Sequence, residues 1–430
     1  MGKCAYPSCD ADAIPSDKGG HCAICGGPTQ ACSRCGTLNR SLARQCRSCC
    51  GPFKYRDLLP GVYSSAVKKW PTPDKRLFTQ ERFWVAPLAL GGWLWLLSAE
   101  GQLSRYSPFS GSLAPIVHLG EEYGRAAPLA LGEMPAGDKW TQPAIVALSQ
   151  RSIAAVGIID SRELKIDLES DETAVADFTK EPCGVDGGEK EAYLLTRRNA
   201  RTYLASASLV SGKVESRIEL PEKRLAGPFR CGGYVYTYSE TQLHVVATGQ
   251  VRSYPFPTGF KASVETRDQT LHQAFGRLPF MVKDSSFYIP GKQGGRPVFF
   301  MQKGGRGASG AAIIPVSGEA TYTQDGTGRP VLAQESSISV LEDAVSRVAE
   351  QDEQLSAMYP ALAVDGITVG MAEPSASALR LRIYHGATRA DFLVQKETFR
   401  ESVGVYTLGN SLTFCSTLKD TTVGIYSWIC

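Results

Sequence analysis

The hexapeptide Ala86-Pro87-Leu88-Ala89-Leu90-Gly91 recurs letter for letter as Ala127-Pro128-Leu129-Ala130-Leu131-Gly132, 41 residues later. Exact self-similarity at that interval restricts a chain to architectures in which one supersecondary unit stacks on copies of itself. The first unit divides into four short apolar runs, VAPLALGG, WLWLLSAEG, QLSRYSPFSG and SLAPIVHLG. Each run ends in a turn signal, and Glu100-Gly101 joins the second to the third as a hairpin would. The next units follow as APLALGE to ELKIDLES, PCGVDGG to KVESRIELP, and PFRCGG to QVRSYPFP. Looser units run from LPFMVKD to AAIIPVSG and from ALAVDGI to DFLVQKE.

Four strands per forty residues predict an all-β ring, a β-propeller over residues 77–430. Inner strands are expected to start near residues 87, 128, 182, 228, 279, 320, 361 and 403. That counts eight phases, and the ring has seven or eight blades. The sixth phase is ambiguous. In VLAQESSISVLEDAVSRVAEQDEQL, Leu341, Ala344, Val345, Val348 and Ala349 keep helical spacing, yet SISVLEDAVSRVA also reads as a hairpin. The last runs, VGVYTLGN, SLTFCSTLKD and TTVGIYSWIC, supply three strands and lack a fourth. Either GVYSSAVKKW (61–70) or LFTQERFW (77–84) is placed to close the ring from the other end of the chain. The form resembles pyrroloquinoline-quinone and WD-type propellers. It lacks their recurrent Trp docking motif and WD dipeptides, so no quinone cofactor is carried over.

Nine of the 13 cysteines lie in the first 50 residues, and no export signal precedes them. Clustered thiols in such a chain read as metal ligands rather than disulfides. The pairs are Cys4-x4-Cys9, Cys22-x2-Cys25, Cys32-x2-Cys35 and Cys46-x2-Cys49. Four thiolates close a tetrahedral Zn²⁺ shell, so Cys4, Cys9, Cys22 and Cys25 are expected on one structural ion and Cys32, Cys35, Cys46 and Cys49 on a second. Cys50 is spare, although it can replace Cys49. A closed shell leaves no water to activate, which argues against catalysis at these ions. So short a segment, residues 1–52, depends on metal for its folding energy.

Cys32 to Cys49 resembles the second half of a double zinc ribbon, through its CxxCGxxN opening, its Ala43-Arg44 step and its closing CxxC. Gln45 stands where that family has an aromatic residue, and Cys50 is inserted before Gly51. The same spacing is similar to the Ran-binding-protein type of finger, whose members bind ubiquitin or single-stranded RNA. Gln30 replaces that type's Trp, and Gly36-Thr37 replaces the Thr-Phe of its ubiquitin binders.

Residues 32–82 hold eleven Lys and Arg against three acids, a net of +8 in a chain whose total is +3. Residues 53–76 therefore form a basic linker between ribbon and ring, able to add a closing strand. Such a neck is either a solvated spacer or a contact for an anionic partner. In the second case Arg40, Arg44, Arg47, Lys68 and Lys69 are the candidate nucleic-acid contacts, with Phe53, Tyr55, Tyr63 and Trp70 available to stack on bases.

Catalytic signals are sparse. The five histidines are far apart, and Gly307-Ala308-Ser309-Gly310-Ala311 lacks the final glycine of a nucleophile elbow. Lys292 sits outside any phosphate-loop pattern, while Cys183 and Cys231 read as packed thiols. Asp160, Asp167 and Asp186 are the carboxylates able to meet in a central channel. The uncharged run 83–99 is broken by Pro87 and Gly91-Gly92, which argues against a membrane span. The expectation is a cytoplasmic, non-enzymatic scaffold with two structural Zn²⁺ ions, protein partners and no small-molecule substrate. Ribbon plus propeller resembles scaffold components of bacterial multi-protein systems, including defence systems that pair propellers with ATPases. Nucleic-acid binding through residues 32–82 is the alternative, and an enzyme site in the propeller channel is the third reading.

Overall fold

In the computed structural model the chain forms a β-propeller. The structure describes residues 29–31, 38–40 and 75–79, most of 87–350, and the strands between 361 and 429. Six blades run consecutively from Leu88 to Glu350, each an antiparallel sheet with strands a to d in chain order. The first blade is Leu88–Leu90, Trp93–Leu97, Gln102–Ser107 and Ser112–His118. The second is Ala130–Pro135, Thr141–Leu148, Ser152–Gly157 and Glu163–Asp167. Two further four-stranded antiparallel sheets follow, the first from Ala361–Asp365 to Thr388–Gln395. The other holds Phe399–Leu408, Ser411–Leu418 and Val423–Ile429.

The fourth strand of that last sheet is Lys75–Thr79, paired antiparallel to Val423–Ile429 with Leu77 opposite Ile425. The start and the end of the propeller segment thus share one sheet. Leu94, Leu96 and Tyr106 of the first blade then pack against Tyr406, Cys415, Val423 and Ile425. This joins the first blade to the last sheet through an apolar core.

Strands b and c are buried on both faces, which explains their unbroken apolar runs. In the second blade Ile145 and Ala147 face the first blade's Trp95, Leu97 and Leu103. Their neighbours Ala144, Val146 and Leu148 face Leu194, Ala205 and Leu209 of the third. Each large apolar side chain so enclosed contributes about 1.5–3 kcal/mol relative to exposure. The fourth, fifth and sixth blades replace these small residues with aromatics: Phe229 and Tyr236 meet Phe287 and Phe300, and Phe299 meets Tyr322.

The ambiguous segment of the sixth unit is a hairpin, Ser337–Leu341 paired antiparallel with Val345–Glu350. The β-branched Ile338, Val340, Val345 and Val348 favour strands, and Val340 and Leu341 are buried in the sheet.

Two blades have inner strands split by an excursion. In the third, Thr173–Ala174 and Val185–Gly187 both pair with Glu191–Arg198. In the fifth, Phe260–Ala262 and Met281–Lys283 both pair with Ser286–Gln293. Each excursion reaches the next blade's inner strand and pairs with it in parallel. Cys183 bridges Gly227, and Leu271–Gln273 lies along Ala320–Tyr322.

Candidate docking surface and inner rim

The c–d turns of the first three blades share one geometry. Gly111 donates its N–H to the Ser107 carbonyl at 2.8 Å, Ser161 to Gly157 at 3.1 Å, and Gly212 to Ser208 at 3.0 Å. The closing residue lies in the left-handed region in all three, with φ of 69°, 57° and 69°. Two turns are capped by their own serine. Ser107 Oγ accepts from the Ser110 N–H at 3.3 Å, and Ser208 Oγ accepts from Ser211 at 3.0 Å.

The second blade has Gly157 at that position, and the cap comes from strand b. Buried Gln142 Oε1 accepts from the Ile159 N–H at 3.1 Å, and its Nε2 donates to Asp160 Oδ1 at 2.7 Å. A Cβ on Gly157 would lie 2.4 Å from the Gln142 amide, so glycine is the residue that admits this cap.

Two residues after the first carbonyl, each turn carries an apolar tip: Phe109, Ile159 and Val210. Phe109 is half-buried, Ile159 is 37% exposed and Val210 is 51% exposed. Equivalent turns of successive blades lie on one face of a propeller, so these tips form an apolar row over three blades. The a–b turns lie at the same end of each sheet. There the Arg105 guanidinium stands 4.5 Å from the centre of the Trp93 ring. Its Nε is buried and has no hydrogen-bond partner among the described residues.

The inner rim has a separate polar cluster between the third and fourth blades. Arg230 Nε donates to Asp186 Oδ2 at 3.1 Å, and its Nη2 donates to the Gly187 carbonyl at 2.8 Å. Tyr193 lies beneath the guanidinium and donates its hydroxyl to Glu191. Burial pushes the Asp186 carboxyl above its usual range in spite of Arg230. Burial and the Glu191 hydrogen bond push Tyr193 up to about 12.

The three carboxylates considered for a channel site are not brought together. Asp160 caps a turn, Asp167 ends an outer strand, and only Asp186 lies on an inner strand. Cys183 and Cys231 are buried, and burial raises the Cys231 thiol to about 11, as packed thiols require. His244 is a buried strand residue whose Nδ1 bonds Ser253 Oγ at 2.9 Å. Residues 307–310 lie outside the described residues, in the c–d connection of the fifth blade.

The expected zinc ligands Cys4, Cys9, Cys22, Cys25, Cys32, Cys35, Cys46 and Cys49 all lie outside the described residues. So do Arg44, Arg47, Lys68 and Lys69, while Arg40 ends the short strand Leu38–Arg40. That strand pairs antiparallel with Thr29–Ala31, Ala31 opposite Leu38, and the six residues joining them contain Cys32 and Cys35. Among the described residues no group of three or more His, Cys, Asp or Glu is placed to hold a metal. None of their helices is long and apolar enough to cross a membrane.

The turn serines and the Arg105–Trp93 pair carried no signal in the sequence reading. The sequence cue for the row is a Ser-x-apolar step shared by SPFSG and SLVSG, which carries no chemistry of its own.

No known protein family matches the chain, and no curated protein matches it. Solved structures do. A computationally designed protein, Ika8, is similar with a TM-score of 0.51 at 10% identity, covering 83% of this chain and 99% of its own. The Dos1 propeller has a TM-score of 0.46 at 10% identity, covering 83% and 94%. The Cps50 (Swd1) β-propeller domain of Myceliophteria thermophila has 0.40 at 11%, covering 83% and 99%. At these identities the likeness concerns the fold alone.

Proposed function

We propose that this chain is a non-enzymatic scaffold of a multi-protein complex, in which an eight-bladed ring presents a docking face and a zinc-held N-terminal segment is attached through a basic neck. The observation that carries the reading is the apolar row Phe109, Ile159 and Val210, set on three turns of one geometry. Rigid loops with apolar tips bind proteins at little ordering cost, because their backbone is fixed before contact. The zinc part is supported by the sequence alone, through the spacing of the four cysteine pairs from Cys4 to Cys49. Affinity purification from the native host with mass spectrometry tests the scaffold reading. Recovery of defined partners at fixed ratios is expected, and recovery of the chain alone would overturn it.

Nucleic-acid binding by residues 32–82 is a second reading, favoured by their net charge of +8. Fluorescence titration with DNA and RNA should then show affinity falling steeply with salt. Absence of binding at low salt removes this reading.

A further inference from the structure

Among the described residues Arg105 has no ion-pair partner. It sits on strand c opposite Trp95 of strand b, and its guanidinium lies over Trp93 at 4.5 Å. Trp93 begins strand b beside the a–b turn, so the charged end points to the face that carries the c–d turns. The Arg105 Nε–H is buried and has no hydrogen-bond partner among the described residues, and the side chain is half-buried as a whole. Stacking on an indole satisfies the face of a guanidinium and leaves its edge N–H groups to donate. With Nε buried, the two terminal amino groups are the donors that match a carboxylate end-on.

The surroundings specify the kind of carboxylate. Ile158 lies in the same core as Trp95, and Ile159 next to it projects into solvent. An acid flanked by apolar residues finds both a cation and, at Ile159, an apolar rim, and a polyphosphate backbone has no apolar group to set on that rim.

We infer that Arg105 and Trp93, at the junction of the first and second blades, receive an Asp or Glu of a partner protein whose apolar neighbours rest on Ile159. The inference rests on the scaffold reading and names the chemistry of its partner.

The probe is a set of fluorescein-labelled nonapeptides centred on Leu-Asp-Leu or Leu-Glu-Leu, with Leu-Asn-Leu and Leu-Gln-Leu counterparts, titrated by polarisation against the full chain. Acidic peptides should bind at least tenfold tighter than their amides. Arg105→Gln should erase the difference, Arg105→Lys should keep part of it, and Ile159→Glu should weaken the acidic peptides tenfold or more. Arg201→Gln, at the exposed b–c turn of the third blade and so at the opposite end of its sheet from the c–d turn, should change nothing. If Arg105→Gln lowers the melting temperature, Ile159→Glu on its exposed turn carries the test. Equal binding of acid and amide, binding of neither, or indifference to the substitutions overturns the inference. Affinity purification separates this from the broader reading. A partner captured equally by wild type and Ile159→Glu refutes this face and leaves the scaffold standing, whereas capture of no partner by wild type defeats the scaffold itself.

Discussion

Single residues set the tolerance of this ring. A Cβ on Gly187 would lie 2.3 Å from the Leu131 carbonyl, a backbone atom of the neighbouring inner strand. Gly187→Ala must therefore push two blades apart, and about 1–3 kcal/mol of stability should be lost. Denaturant unfolding would read it directly, and an unchanged midpoint would disprove the close approach.

Glu172 is a fully buried carboxylate that accepts from Thr196 Oγ1 at 2.6 Å and Arg217 Nη2 at 2.8 Å. Burial alone would raise its pKa, but the Arg217 and Thr196 hydrogen bonds outweigh that and hold it below 4.5. Its contribution is thus present above pH 4.5 and is lost as the pH falls through the folded value. His244 adds a loss at milder acid. Burial lowers its pKa below 6.5 although Glu222 lies 3.8 Å away, so the unfolded chain binds the proton first. The melting temperature should fall between pH 7 and 5, and less so in His244→Gln. Parallel curves for the two proteins would rule this out.

At the scale of turns and strands, the second blade shows how one function moves between residues. Ser107 and Ser208 cap their own turns, and Gln142 does so where Gly157 leaves room. Gln142→Ala should cost about 1–2 kcal/mol by freeing two turn N–H groups. Gly157→Ser should also destabilise, because its Cβ meets the Gln142 amide. Combined with Gln142→Ala, it restores a serine cap, so the double variant should be more stable than the two single losses predict. Strict additivity in thermal unfolding would contradict this account.

The same comparison shows what was legible in the sequence. The inner strands expected near 87, 128, 182, 228, 279, 320, 361 and 403 lie at Leu88, Ala130, Val185, Ala226, Met281, Ala320, Ala361 and Phe399. Apolar runs and turn residues carry that information locally. Val185 starts 55 residues after Ala130, and Met281 starts 55 after Ala226, against 38 to 42 elsewhere. Those two long intervals are the excursions, and their parallel pairing to the next blade depends on contacts that no local pattern encodes. The 331–350 segment is ambiguous because Leu341, Val345 and Val348 keep helical spacing while Ile338, Val340, Val345 and Val348 are β-branched and favour strands, and Val340 and Leu341 are buried in the sheet that forms. Arg105 over Trp93 was invisible for a similar reason, since the pair depends on the packing of strand c against strand b.

Across the whole molecule, ring closure and the proposed zinc segment divide the chain. Lys75–Thr79 pairs along Val423–Ile429, and without it the last sheet would present an unpaired edge. Removing residues 1–73 should leave the melting temperature unchanged, whereas removing 1–79 should lower it and promote aggregation. If the N-terminal cysteines hold zinc as proposed, ahead of the strand Lys75–Thr79 that closes the ring, chelation should release zinc and unfold only the first 51 residues. Cooperative melting of the whole chain on chelation would show that ribbon and ring are one unit. The central claim is that the ring, and not the ribbon or the basic neck, recruits partners. Quantitative affinity purification with a chain lacking residues 1–73, beside the full chain, tests it most directly. The account predicts the same partners at comparable yield. Loss of those partners from the shortened chain, with its melting temperature intact, would contradict it.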